Sequence, residues 1–246
     1  MNAAGAPDGA AAATGEPSAA APVFAGGAAL LHLLHLVSPA LPVGAYAYSQ
    51  GLEFAIEARW VRDEAGAAAW LHGLAGNALG TLDLPVLLRL RRAWAAGDAT
   101  ALEYWNGRLL AARETAELRA EDRHLGQALL RILVALDVPG AATAAGAPPS
   151  FALAFGLAGA QWRIGEPELL GGYLWSWAEN QVLAALKLVP LGQSAGQRLL
   201  HGLIGVMPAV VARAMILADA DIGSSAVAQA LASALHETQY TRLFRS

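Results

Sequence analysis

Cysteine is absent from all 246 residues, which removes disulfides, thiolate metal sites and cysteine nucleophiles together. Lysine is nearly absent: Lys187 stands alone against fifteen arginines. Charged residues make up only 15% of the chain, and the formal net charge of −4 offers no basic patch for nucleic acid. No basic residue precedes Arg59, so the charged start of a secretory signal is missing. No uncharged run of membrane length is free of Pro or Gly, and no spanning helix is predicted. Alternating strand patterns and hairpin dipeptides are also lacking. So are the phosphate-binding loop, the dinucleotide fingerprint and the nucleophile elbow. These absences predict an all-α, cytoplasmic protein that carries no self-sufficient active site.

What is present is aliphatic. Hydrophobic residues reach 56%, much of it alanine, which favours helix and buries little area per residue. Residues 1–27 are Ala, Gly, Pro and Ser and read as a disordered extension. A helical domain follows over 28–236, a single bundle of roughly ten helices, with a polar and aromatic tail at 237–246. ALLHLLHLV is the first helix, ending at Ser38-Pro39. Ser49 can cap a helix through Arg59, and Asp63 caps the next, whose Trp70, Leu71, Leu74, Ala78 and Leu79 form one apolar stripe. Asp83-Leu84-Pro85 places a cap and an early-turn proline before VLLRLRRAW. From Ala99 to about Leu136 the pattern reads as one long helix. Its charged middle, RETAELRAEDRHLG, offers either a solvated face or a docking face. After a loop over 138–150, Ser150 opens a helix through Trp162. Later, Pro208 separates LLHGLIGVM from PAVVARAMILA as two helices.

The stretch Leu174–Leu200 stands out. From Trp175 to Val189 it is apolar on nearly every face, the pattern of a helix buried among helices. Lys187 interrupts it and must snorkel, pair or face a partner. His32 and His35 are i,i+3 neighbours at a spacing that suits a metal, but no carboxylate accompanies them. Asp219, Asp221 and Gly223 hint at an oxygen-ligand loop without the closing Glu of an EF-hand. From the residues alone two classes stay open: an interaction scaffold, and a helical bundle with a buried small-molecule pocket lined by converging polar groups.

Five stretches in order carry a resemblance: LPVGAYAYSQGLEFAIEARWV, the DLP turn at Asp83–Pro85, RETAELRAEDRHLG, WAENQVLAALKLVPLGQSAGQ, and DADIGSS with HETQYTRLFRS. Together they resemble the urease accessory protein UreF family from about Leu30 to Ser246. One departure is Ala45-Tyr46-Ala47, where that family usually has Gly, an aromatic and Ser or Thr. The resemblance implies an all-α, usually dimeric adaptor that is not an enzyme. It would bridge UreD (also called UreH) and the GTPase UreG and regulate nickel insertion into apo-urease. No cofactor would be held permanently, the nickel being handled by the complex. Carried over by position, Tyr48, Gln50, Glu53 and Lys187 would face UreG, with Glu53 a possible counter-charge for Lys187. Tyr240, Arg242, Phe244 and Arg245 would belong to a mobile tail that orders on UreD. The Ser38–Gly51 segment is expected to lie against Val182–Gln193, with Glu53 and Lys187 on one exposed face.

Overall fold

A computed structural model describes residues 1–2, 27–144, 148–224 and 226–246. The predicted disordered extension lies almost wholly outside the described residues. Within them the chain is all-α, without a strand. The helices are α1 (Ala28–Leu36), α2 (Leu52–Glu57), α3 (Glu64–Leu74), α4 (Leu84–Ala96), α5 (Ala99–Ala111), α6 (Ala116–Ala135), the single turn α7 (Ala141–Ala144), α8 (Phe151–Gln161), α9 (Glu166–Leu188), α10 (Gln193–Ile216) and α11 (Val227–His236).

The centre belongs to α4 and α8, which pack on each other with α5 and α6 alongside. On α4, Leu84, Val86, Leu87, Leu88 and Leu90 are all buried. On α8, every residue from Ala152 to Gly159 is buried, so it has no solvent face. The expected central helix, α9, instead buries one stripe, from Leu170 through Tyr173, Leu174, Trp177 and Gln181 to Ala185. That i, i+3, i+4 spacing is the signature of a helix with one face inward. Its other face meets solvent, with Leu183 and Lys187 exposed.

Predicted caps hold at Asp63, which accepts from Gly66 N at 2.8 Å, and at Ser150, which accepts from Leu153 N at 3.1 Å. Three expectations fail, each for a visible reason. Asp83 is not a cap: residues Ala75–Asp83 form a π-helix that joins α3 to α4 without a break. Pro85 then removes the donor that would bond Thr81 O, and Gly223 N supplies a replacement at 3.0 Å. The predicted long helix divides at Ala112–Thr115, where Thr115 caps α6 through Leu118 N at 3.2 Å. Conversely, Pro208 does not divide α10. It sits on the exposed side, where water can take up the carbonyl it leaves free.

By length and composition α10 is the one helix among those described that is apolar enough to cross a membrane, with 28% of its apolar window buried. His32 stacks on Trp162 with ring centroids 4.6 Å apart, and Asp219 pairs with Arg89 at 2.8 Å. Among the described residues no group of three or more His, Asp or Glu could hold a metal ion.

Candidate functional site: a buried carboxylate, a strap and a neighbouring cavity

The tail closes the site. HETQYTRLFRS has no helical stripe, yet it is not loose: Phe244 and Ser246 are buried. The backbone of Leu243 and Phe244 is held by Glu53, whose carboxylate accepts from Leu243 N at 2.6 Å and Phe244 N at 2.9 Å. Arg245 N reaches Ala47 O at 2.9 Å, and Ser49 N reaches Ser246 O at 2.8 Å. The expectation of a mobile tail is therefore corrected. An extended strap gets from a buried carboxylate what a helix would get from its own carbonyls. Beneath it His236 is fully buried, with Nε2 3.1 Å from Glu53 and Nδ1 2.7 Å from Glu117. Glu117 also accepts from Arg242 at 2.7 Å.

Gly51 makes this closure possible. It sits at φ +82°, a left-handed value that costs glycine nothing. A Cβ there would lie 2.8 Å from Ser233 N, so only glycine lets α2 come this close to α11.

The residues carried over for UreG thus meet, though not as expected. Lys187 is exposed and its Nζ stands 5.5 Å from the centre of the Phe244 ring. Glu53 lies under the strap at 7% exposure, so it is neither a counter-charge for Lys187 nor part of an exposed platform. Phe244 separates the two. Tyr48 is buried, its hydroxyl 3.1 Å from His124 Nδ1, and burial pushes that hydroxyl up against the pull of a hydrogen bond from Arg245. Gln50, at φ +55°, bridges Trp177 Nε1 and Glu121 Oε1, both at 2.8 Å. The Ser38–Gly51 segment does lie against α9, with Trp177 at the hydrogen-bonded contact, further toward the helix N-terminus than predicted. Of the tail residues, Tyr240 is fully exposed and Arg242 and Arg245 are on the surface.

Between this segment, the π-helix, α6 and α9 lies a partly open cavity of about 360 Å³. Its wall carries Leu79, Leu82, Leu118, Leu125 and Trp177, with Glu121, Asn180 and Gln181 as polar groups. One side is an ion cluster. Arg113, in the gap between α5 and α6, reaches Asp83 at 2.5 Å and Asp122 at 2.9 Å. Burial pulls the guanidinium down, and the two carboxylates outweigh it, holding it well above its ordinary value. Tyr173, 3.4 Å from Asp83, is pushed well up by burial and then by Asp83 and Asp122. Burial also raises the Glu121 carboxyl to about 7, opposed by hydrogen bonds from Gln50 and Ser246. Glu121 and Asp122 are both buried while Glu114, Arg123 and His124 are exposed, so RETAELRAEDRHLG turns some of its charges inward and keeps a solvated side. The sequence signal that was available is the crowding of acids near Arg113.

The family model for UreF matches residues 61–204. The urease accessory protein UreF of Teredinibacter turnerae is 52% identical over 217 residues, covering 88% of this chain and 98% of its own. Its namesake in Alkalilimnicola ehrlichii is 50% identical over 225 residues, covering 89% and 97%. That of Azoarcus sp. is 49% identical over 223 residues, covering 88% and 95%. With identities near one half across almost the full length of each relative, this chain belongs to the urease accessory protein UreF family.

Proposed function

We propose that this chain is a non-catalytic adaptor in urease maturation. It joins UreD and the GTPase UreG and governs GTP-dependent delivery of nickel, its cargo, to apo-urease. It works in the cytoplasm as a homodimer. The observation that carries the reading is family membership across the chain, the relatives being named as accessory proteins rather than enzymes. The position of Lys187 supports a recognition role for that corner, since the charged head of the chain's lone lysine stands at the surface beside the strap.

Co-expression with UreD, UreG and urease subunits from one source tests the proposal. A tagged chain should retain UreD and UreG and raise urease activity. Lys187→Ala should keep its fold, within about 1 kcal/mol, because the residue is exposed. It should lose UreG while keeping UreD. Retention of neither partner by the wild-type chain would sink the adaptor reading, and full urease activation by Lys187→Ala would remove the lysine from it.

A further inference from the structure

His236 ends α11 with its ring fully buried and one nitrogen on each of two carboxylates, Nε2 on Glu53 from α2 and Nδ1 on Glu117 from α6. Each contact needs a hydrogen between nitrogen and oxygen. A neutral imidazole has a single N–H and can serve only one of them, whereas an imidazolium serves both. The carboxylates are committed as acceptors elsewhere. Glu53 takes Leu243 N on one oxygen and Phe244 N on the other, and Glu117 takes Arg242. An ordinary imidazole also binds a proton more tightly than an ordinary carboxyl, so the extra proton belongs on the ring.

Charge gives the same answer by a separate route. Among the described residues His236 is the one cationic partner within ion-pair reach of the buried Glu53. When a buried ion pair loses the charge on one side, the other is left uncompensated and out of water. The relief lies directly above, because lifting Leu243 and Phe244 admits water to Glu53. The other charged groups bordering the strap are Glu117 and Glu121 from α6, Glu237 after α11, Lys187 from α9, and Arg242 and Arg245 on the strap itself. Arg242 is spent on Glu117 and does not relieve Glu53. Glu121 acts in the same sense as His236. Burial raises its carboxyl to about 7, so a rise in pH leaves a second buried anion where Ser246 is held.

We propose that the strap is a proton-operated latch. It closes over Glu53 only while His236 is an imidazolium, and loss of that proton releases Leu243 and Phe244, taking the Phe244 ring away from Lys187. The imidazolium gives its proton to hydroxide or a buffer base, one proton for each strap released. The latch is a property of the chain alone, and it and the adaptor role can fail separately.

The test uses the full chain labelled with 15N. While the strap is docked, both ring nitrogens of His236 should carry hydrogens and show the shifts of an imidazolium. A neutral tautomer under a docked strap would overturn the proposal. Raising the pH from about 6 to about 9.5 should move the His236 nitrogens and the Phe244 ring resonances along one curve, with helix content by circular dichroism unchanged. Across the same rise, trypsin should come to cut after Arg242 about tenfold faster, measured against a free TQYTRLFRS peptide. His236→Gln, which cannot carry the charge, should be cut fast at both ends of the range. Glu121→Gln should keep the wild-type curve at Phe244. The wild-type resonances decide the matter even if a variant fails to fold. A ring that gives up its proton only as the whole chain unfolds would overturn the latch, as would a Phe244 signal that ignores that loss.

Discussion

Glu121 is the residue whose ionisation should be felt most widely. Its carboxyl rises from an ordinary 4.5 to about 7 on folding because burial disfavours the charge. Between those values the folded state holds a proton that the unfolded chain has released. The group's contribution to stability is thus complete below about 4.5 and lost as pH climbs through about 7. The full swing is at most about 3 kcal/mol. Glu121→Gln abolishes the titration while keeping an acceptor for Gln50. Urea unfolding should find the variant more stable than the wild type at about pH 8, with the gap shrinking to under about 1 kcal/mol at about pH 5. An equal gap at both pH values would show that Glu121 is not the group responsible. Nothing in the sequence announces this. Glu121 and Asp122 read as ordinary helix-surface acids, and only the arrival of Ser246 and Gln50 from far along the chain buries the first of them.

At the level of elements, a packed strap makes truncation costly, where a mobile tail would make it harmless. Removing residues 237–246 takes Phe244 out of the core and strips Glu53 of both main-chain donors. Loss of a buried Phe alone costs about 3–5 kcal/mol. The truncated protein should melt several degrees lower, and an unchanged melting temperature by circular dichroism would show that the strap is not packed in solution. The π-helix makes a second element-scale test. Deleting Asn77, an exposed residue within it, would tighten the coil and turn α4 by about 100° relative to α3, carrying Asp83 off Arg113. The deletion should cost well over about 4 kcal/mol, whereas Asn77→Ala should stay within about 0.5 kcal/mol. Helices with a clear cap, such as those opening at Asp63 and Ser150, were legible from one stretch of residues. The π segment, the break at Ala112–Thr115 and the unbroken α10 were not. Each depends on a remote partner or on which side of a helix faces water, as Thr115 with Ser233 and Pro208 with solvent illustrate.

Seen whole, the molecule carries more exposed aliphatic area than its small charge comfortably keeps apart. On α11, Val227, Leu231 and Leu235 are exposed at 69%, 54% and 44%, at i, i+4 and i+8 on one stripe. Leu243 and Tyr240 of the strap are exposed as well. Contiguous apolar surface of this kind marks an interaction site or an aggregation liability. Leu231→Glu combined with Leu235→Glu should leave the melting temperature within about 2 °C, as for surface changes. It should also raise solubility and abolish co-purification of UreD. Retention of UreD by the double variant would place that partner elsewhere. Fold class and family were legible from end to end because helical periodicity and family stretches are local properties of the chain. The candidate site was legible only as a set of names. Glu53 and Lys187 were named together, but the aromatic ring that separates them, and the cavity behind, arise from contacts across most of the chain's length.

The bond from Ser49 to Ser246 also sets a timetable. At roughly 5–20 residues per second, a ribosome takes roughly 10–40 seconds to travel from the first of these positions to the second. For most of that interval His236 has yet to emerge, and throughout it Glu53 is without its strap. The nascent chain can form its α4–α8 centre early, but the corner that holds Lys187 and Phe244 cannot exist before residue 244 has been made. Any partner that recognises this corner therefore meets only chains in which the strap has been made, and a chain that stalls before residue 243 is a helical body without its seal.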